Sequence, residues 1–160
     1  MNPSPFRPPP RRHAAFTLVE IMIVVVIIGL LATLAVPAFK KIQRATQNSR
    51  VANDFRVFAQ AFETYSTQNG KWPPNAGTGV VPTGMSSADL KVSVWAATTT
   101  IGGRWNWDYN NNGFTAGISI ANFTASDAQL AEIDAKIDDG DLNTGMFRKV
   151  SATRVSYILE

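Results

Sequence analysis

The sequence contains no cysteine and a single histidine, His13. A chain without cysteine has no disulfide, no thiolate nucleophile and no cysteine metal ligand. It also lacks a glycine-rich phosphate loop and a serine nucleophile elbow. Clustered aspartates without a partner base do not define a reaction, so these absences predict a protein that is not an enzyme.

Polar residues are almost absent from residues 21–39, where Thr33 is the only one. At about 1.5 Å per residue, a helix of this length nearly crosses a hydrocarbon core of about 30 Å. The segment therefore predicts a membrane-spanning helix. Glu20 stands immediately before it, and an acid beside lipid is a functional-site hypothesis that needs a partner.

The first fifteen residues differ in composition from the rest of the chain. They hold five prolines and three arginines, but no acid. Prolines favour extended backbone, so we interpret residues 1–15 as a targeting leader outside the fold. The twelve Lys and Arg residues that follow balance the twelve acids, so the basic charge of the whole chain comes from the leader and gives no ground for predicting a nucleic-acid partner.

Residues 15–20, Ala-Phe-Thr-Leu-Val-Glu, and the apolar run after them resemble the amino-terminal signature of type IV pilins and type II secretion pseudopilins. The resemblance implies cleavage by a prepilin peptidase between Ala15 and Phe16, followed by N-methylation of Phe16. Glu20 then takes the position of the family's glutamate, and Pro37 that of a helix-kinking proline. The family nearly always has glycine before the cut, where this chain has Ala15.

Cleavage would expose a cationic amine at Phe16, and Glu20 is the natural partner for that amine. In a packed bundle of such helices, pairing would offset part of the cost of holding either charge in lipid and would fix the register between subunits. The alternative is that Glu20 lies at headgroup depth and favours the helix dipole.

Two other interpretations of the apolar segment remain open. In an ordinary secretory signal, cleavage would follow Ala38. In a plain single-span anchor, Arg11 and Arg12 would hold the amino end in the cytoplasm.

The apolar run continues into an amphipathic pattern without a helix stop. Apolar residues at spacings of three and four predict one face of a continuing helix, and these are Val51, Phe55, Phe58, Phe62 and Tyr65. We predict one helix over residues 17–67, ended by Asn69 and Gly70. The predicted organisation is a leader at 1–15, a transmembrane or filament-core helix at 16–39, its amphipathic continuation at 40–69 and a globular β-rich head at 70–160.

The head is large enough for one small core. Its pattern predicts a turn at 86–91, a strand at 91–96, a hairpin of 103–108 and 114–123 around a turn at 109–113, a helix at 126–137 capped by Ser126, and a last strand at 150–159. The fold class is α+β, a long helix packed on a small antiparallel sheet. The family resemblance implies the same architecture.

Two features of the head have both a structural and a ligand-binding interpretation. Trp105 and Trp107 alternate on one strand and either cover the long helix or bind a ligand, and we favour the core. Residues 108–113 open like a calcium loop, but its twelfth position is Ser119 and not a bidentate glutamate.

The acidic segment at 138–145 is the denser cluster. The resemblance implies calcium here, since major pseudopilins bind it in a carboxy-terminal loop. The candidate ligands are Asp138, Asp139, Asp141 and Asn143, and the alternative is a solvated turn that ends the preceding helix.

We predict a structural subunit of a type II secretion-like pseudopilus, polymerised through its amino-terminal helix. The alternatives are a type IV pilus subunit for adhesion, motility or DNA uptake, and a single-span anchored binding protein that never polymerises. The implied partners are copies of the chain, other pilin-like subunits, a prepilin peptidase and an inner-membrane assembly platform. The expected location is the bacterial inner membrane, with the head outside the cytoplasm, and later a periplasmic pseudopilus or an extracellular pilus.

Overall fold

The computed structural model describes residues 17–160. These residues divide into two compact units, with the boundary between Lys40 and Lys41. Its elements, in chain order, are α1 Leu18–Asn69, α2 Val92–Trp95, β1 Gly102–Asn111, β2 Phe114–Phe123, α3 Asp127–Ile137, β3 Phe147–Ser151 and β4 Arg154–Ile158.

Helix α1 is 52 residues long and confirms the long helix predicted from the sequence. It ends at Asn69, followed by Gly70 with φ of +66°, a left-handed conformation that favours glycine after a helix. Pro37 lies inside the helix, where its ring nitrogen donates no hydrogen bond to the carbonyl of Thr33. In the first unit the apolar side chains of α1 are exposed, including Leu30, Leu34 and Phe39.

In the second unit the predicted stripe of α1 packs on the sheet. Phe55 and Phe58 meet Trp105 edge-on, with ring centroids 4.7 and 4.9 Å apart. Phe62 stacks on Trp107 at 3.9 Å with an interplanar angle of 6°. Stacked and edge-to-face contacts are favoured geometries for aromatic pairs. These contacts therefore stabilise the packing of α1 on the sheet in addition to the apolar area that it buries.

The four strands form one antiparallel sheet in the order β1-β2-β4-β3. The predicted hairpin is confirmed, but its turn is shorter than expected. Asn111 pairs with Phe114, so the turn is only Asn112 and Gly113, with φ of +56° and +88°. Two central residues with positive φ match the twist of a two-residue hairpin, and Asn-Gly accommodates both.

One strand prediction in the head was wrong, and another had the wrong bounds. Residues 91–96 form the short helix α2, because Trp95 turns into the core and its indole N–H donates to the Val80 carbonyl at 2.9 Å. The last strand predicted at 150–159 is present as β4, but it begins only at Arg154, and it pairs with a preceding strand, β3, which begins at Phe147 and was not predicted. Phe147 is fully buried, and its ring centroid lies 5.3 Å from that of Phe55. A contact between residues distant in sequence therefore fixes where this strand begins.

Helix α3 follows the prediction closely. Ser126 is its N-cap and accepts a hydrogen bond from the Gln129 amide. Leu130 and Ile133 are buried, while the Glu132 carboxylate accepts a hydrogen bond from the side-chain amide of Asn48 on α1 at 2.7 Å. The helix is thereby docked on α1, and its C-terminal end leads directly into the acidic segment.

Candidate functional site

The described part of the chain begins at the turn that contains Glu20. The Thr17 hydroxyl accepts a hydrogen bond from the Glu20 amide at 3.2 Å, and the Thr17 carbonyl accepts from the Ile21 amide at 3.3 Å. Thr17 therefore caps helix α1, and Glu20 occupies its first turn. The predicted cleavage residues, Ala15 and Phe16, lie outside the described residues.

The apolar segment of α1 has no protein covering it in the described chain. None of the residues in its most apolar eighteen-residue stretch is buried, and α1 is the one described helix long and apolar enough to cross a membrane. A contiguous apolar surface of this size marks a membrane or protein interaction site. The segment thus requires lipid, or other apolar helices, around it.

The acidic segment after α3 folds into a tight turn around its carboxylates. Asp138 accepts hydrogen bonds from the Met146 and Phe147 amides, the second at 3.1 Å. Asp139 accepts from the Asp141 amide at 2.9 Å and from the Thr144 hydroxyl at 2.7 Å, and these bonds lower the pKa of Asp139. The two carboxylates are held in place by the turn itself.

A third carboxylate, Asp134, lies beneath this turn on the buried side of α3. Its side chain is fully buried, yet neither of its oxygens has a hydrogen-bond partner in the described structure. Burial raises the pKa of Asp134 to about 6, and the charges of Asp139, Asp138 and Asp141 raise it further. The Gly140 amide lies near enough to lower this pKa in part, but it does not reach hydrogen-bonding geometry with either oxygen. Burying a carboxylate without a hydrogen-bond partner destabilises the folded chain, so Asp134 is the group in this region that lacks a partner.

Asp134, Asp138 and Asp139 bring one oxygen each to within 4.8 Å of one another. Calcium binds oxygens at about 2.3–2.6 Å, so two ligands on one ion lie up to about 5 Å apart, and the cluster is of the right size for a hard cation.

Sequence reasoning placed Asp138 and Asp139 in this site but missed Asp134. The apolar spacing of Leu130, Ile133 and Ile137 predicts the buried face of α3, and Asp134 lies beside Ile133 at the edge of that face. This spacing was the signal in the sequence that could have indicated the burial of Asp134. Of the other two predicted ligands, Asp141 does not join the cluster. It accepts hydrogen bonds from the Asn143 amide and side chain at 3.0 and 2.9 Å, so this pair stabilises the turn.

Asp108, the first residue of the calcium-loop pattern, has protein partners in place of a cation. It is fully buried and accepts hydrogen bonds from the Ser119 hydroxyl, from the side-chain amide of Asn106 at 2.8 Å and from the Arg154 guanidinium at 2.6 Å. Its charge and hydrogen-bonding capacity are already satisfied, so this loop has no need of a metal.

The tryptophan pair is confirmed as core. Trp105 is 1% exposed and Trp107 is fully buried, with its indole N–H donating to the Pro73 carbonyl at 3.0 Å. Neither ring is available to an external ligand.

Comparison with known proteins agrees with the fold and the amino-terminal segment. Residues 10–36 match the model of the prokaryotic N-terminal methylation motif. The structure resembles that of the major type IV pilin PilA1 of Clostridium difficile, with a TM-score of 0.50 and 17% identity over 74% of this chain and 97% of that one. The chain therefore combines a prokaryotic N-terminal methylation motif with the fold of a type IV pilin.

Its named relatives are both pseudopilins and pilins. Type II secretion system core protein G of Aeromonas hydrophila is 33% identical over 39% of this chain and 44% of the relative. Fimbrial protein EcpC of Eikenella corrodens is 38% identical over 52% and 56%, and type IV major pilin PilA of Myxococcus xanthus is 35% identical over 45% and 31%. The chain thus spans about half or less of the length of these relatives.

Proposed function

We propose that the chain is a structural, non-catalytic subunit of a type II secretion-like pseudopilus, which polymerises through α1. The observation that supports this proposal most is the exposed apolar segment of α1, which begins directly after Glu20 and overlaps the methylation motif. The match to core protein G of Aeromonas hydrophila supports the pseudopilus role in particular.

In this proposal a prepilin peptidase cuts between Ala15 and Phe16 while the chain spans the inner membrane, with the head outside the cytoplasm. Glu20 then pairs with the Phe16 amine of a neighbouring copy, which offsets the cost of both charges in an apolar environment. Other pilin-like subunits and an inner-membrane assembly platform complete the machine.

The first experiment is intact-mass and amino-terminal analysis of the protein from its native membrane. A chain that begins at N-methylated Phe16 supports the proposal. An intact Met1 contradicts processing, and a start after Ala38 indicates an ordinary secreted protein.

The second experiment measures polymer formation by Glu20→Ala, with Glu63→Ala as the control, because Glu63 is an exposed acid on the same helix outside the apolar segment. We expect Glu20→Ala to remain in the membrane and to enter filaments poorly, and Glu63→Ala to behave as wild type. Normal incorporation of Glu20→Ala would contradict the assembly role of Glu20.

A type IV pilus subunit for adhesion, motility or DNA uptake is the second candidate, favoured by the matches to EcpC and PilA. Immunolabelling of intact cells separates the two, since a pilus is labelled on the cell surface and a periplasmic pseudopilus only after the outer membrane is opened. A monomeric anchored binding protein receives no structural support, because the tryptophans it would use are buried.

We also propose that Asp134, Asp138 and Asp139 bind calcium. The unpartnered Asp134 carboxylate supports the site, and two of its neighbours are already oriented by the turn. Calcium would supply the missing partner of Asp134 and hold the end of α3 against the segment that leads to β3.

Thermal unfolding of the detergent-solubilised chain tests this site with calcium, magnesium and a chelator. We expect calcium to raise the Tm of wild type but not that of Asp134→Asn or Asp138→Asn. Asp127→Asn is the matched control, because Asp127 is an exposed acid of α3 that pairs with Lys149. An equal response of all four proteins would remove the proposed site.

A further inference from the structure

Strand β3 lies at one edge of the sheet, because β4 is its only neighbour among the described strands. An edge strand carries backbone N–H and C=O groups without a strand partner, and a strand of another molecule can pair with them. On β3 the amides of Phe147 and Lys149 are turned away from β4, since each donates a hydrogen bond to the segment before the strand. β3 therefore has two outward donors on alternate residues, the pattern that an added strand uses.

The acidic segment at 138–145 occupies both of these donors. The Asp138 carboxylate accepts from the Phe147 amide at 3.1 Å and also from the Met146 amide. The Leu142 carbonyl accepts from the Lys149 amide at 2.9 Å. These contacts lie along the open side of β3, so an incoming strand would have to displace the segment before it could pair.

Further contacts hold the segment against the strand. The Arg148 guanidinium donates to the Gly145 carbonyl at 2.6 Å, and the Thr144 hydroxyl donates to the Asp139 carboxylate at 2.7 Å. Gly145 has φ of +67°, and a Cβ at this position would collide with the Asp138 carboxylate. The close approach of the segment to β3 therefore requires glycine at position 145.

The opposite edge of the described sheet is covered as well, by other segments of the head. The Gly79 amide donates to the Trp105 carbonyl of β1 at 2.7 Å. Thr98 forms an antiparallel bridge with Arg104 on the same strand. Covering an edge with a loop is one way in which natural proteins prevent edge-to-edge association.

We infer that residues 138–145 form an autoinhibitory edge cover, which keeps β3 from pairing with an extended strand of a second copy. Among the described side chains, that of Asp138 alone accepts from an amide of β3, so this carboxylate fastens the cover. Heads held in this state do not join by strand addition, which leaves association between copies to α1. The inference does not depend on calcium, because the chain itself makes every contact of the cover.

Hydrogen exchange and self-association of the detergent-solubilised chain test the edge cover, with a chelator present to exclude calcium. Asp138→Ala removes the acceptor, whereas Asp138→Asn keeps an oxygen that can accept from the same amides. We expect the Phe147 and Lys149 amides of Asp138→Ala to exchange about tenfold faster than in wild type, the size of one lost hydrogen bond. Asp138→Ala should also form larger oligomers, and Asp138→Asn should match wild type in both measurements.

Asp89→Ala is the matched control. The exposed Asp89 carboxylate also accepts from a backbone amide, that of Ser86 at 2.8 Å, but in a turn that covers no strand. The amides of β2 are the internal reference, because β2 has a strand partner on each side. Unchanged exchange at Phe147 and Lys149, or an equal rise throughout β2, would overturn the inference.

A second variant keeps the test valid if Asp138→Ala loses the near-ultraviolet circular dichroism of the folded head. Gly145→Ala then takes its place, since the added Cβ would displace the Asp138 carboxylate. The same two results in Gly145→Ala would overturn the inference.

The double variant Asp138→Ala, Lys149→Pro separates strand pairing from other kinds of association. Proline offers no N–H to an incoming strand, and it is tolerated where the N–H of an edge strand faces outward. We expect the double variant to return to the oligomeric state of wild type. Persistent oligomers, or faster exchange in Asp138→Ala without larger oligomers, would overturn the inference. Failure of calcium to raise the Tm of wild type would remove the calcium site and leave the edge cover unaffected.

Discussion

Two buried carboxylates in the head show how one residue type serves two purposes. Asp108 is satisfied by a guanidinium, a hydroxyl and an amide, which together compensate its burial. Asp134 is equally buried and has none of these partners. In the sequence, Asp108 lies beside asparagines and Asp134 lies near other aspartates, and neither pattern predicts whether the carboxylate has a partner. Only the contacts in the folded chain distinguish an aspartate that pairs within the protein from a candidate metal ligand.

Asp134 should impose a pH dependence on stability when no cation is present. Its pKa is raised to about 6, so the folded chain binds more protons than the unfolded chain between about pH 4 and 6. The free energy of unfolding therefore falls as pH rises through that window, because the buried carboxyl group becomes charged. We expect Asp134→Asn to remove the loss and to be more stable than wild type near pH 7.5 by roughly 1–3 kcal/mol.

The measurement is denaturant unfolding of the detergent-solubilised chain in chelator at pH 4.5 and 7.5, followed by tryptophan fluorescence. Asp127→Asn serves as the reference for the loss of one exposed acid. The same pH dependence in wild type and Asp134→Asn would contradict the raised pKa of Asp134.

At the scale of the element, α1 carries two different surfaces along one helix. Up to Lys40 its apolar side chains are exposed, and from Val51 its aromatic stripe is buried against the sheet. Apolar side chains of α1 are therefore buried only along the second part of the helix, because a core exists only where the head covers it. This part of the fold was predictable, since helix length and periodicity are local properties.

Phe62 tests the buried surface of α1, with Val57 as the matched exposed position on the same helix. Phe62 is fully buried on Trp107, while Val57 is 47% exposed. We expect Phe62→Ala to lower the free energy of unfolding by about 3–5 kcal/mol and Val57→Ala to change it by about 0.5 kcal/mol or less. Chemical denaturation measures both, and similar small effects would show that the stripe does not support the head.

At the scale of the whole molecule, the last strand in sequence is not the last strand in the sheet. β4 lies between β2 and β3, so it supplies ladder partners on both sides. Its Val155 is buried in the core and its Arg154 pairs with Asp108 on β1. The end of the chain therefore holds together strands that are distant in sequence.

A chain shortened after Ser151 should lose the native head, because β2 and β3 then lack their common neighbour. We expect loss of the near-ultraviolet circular dichroism of the buried tryptophans and rapid proteolysis of the head. Thr153→Ala, a change at an exposed turn residue between β3 and β4, should preserve both signals. A protease-resistant head in the shortened chain would contradict the central role of β4.

The sequence by itself determined the long helix, its apolar and amphipathic halves, the Ser126 cap and the hairpin of β1 and β2, because each depends on residues close together in the chain. The same local pattern carried the resemblance to pilins through residues 15–20. Contacts between distant residues decided the rest: Trp95 turned a predicted strand into α2, Phe147 began an unpredicted strand, and the fold placed Asp134 beneath Asp138 and Asp139. Burial and partner choice are properties of the packed chain, so the tertiary structure alone separated the satisfied Asp108 from the unsatisfied Asp134.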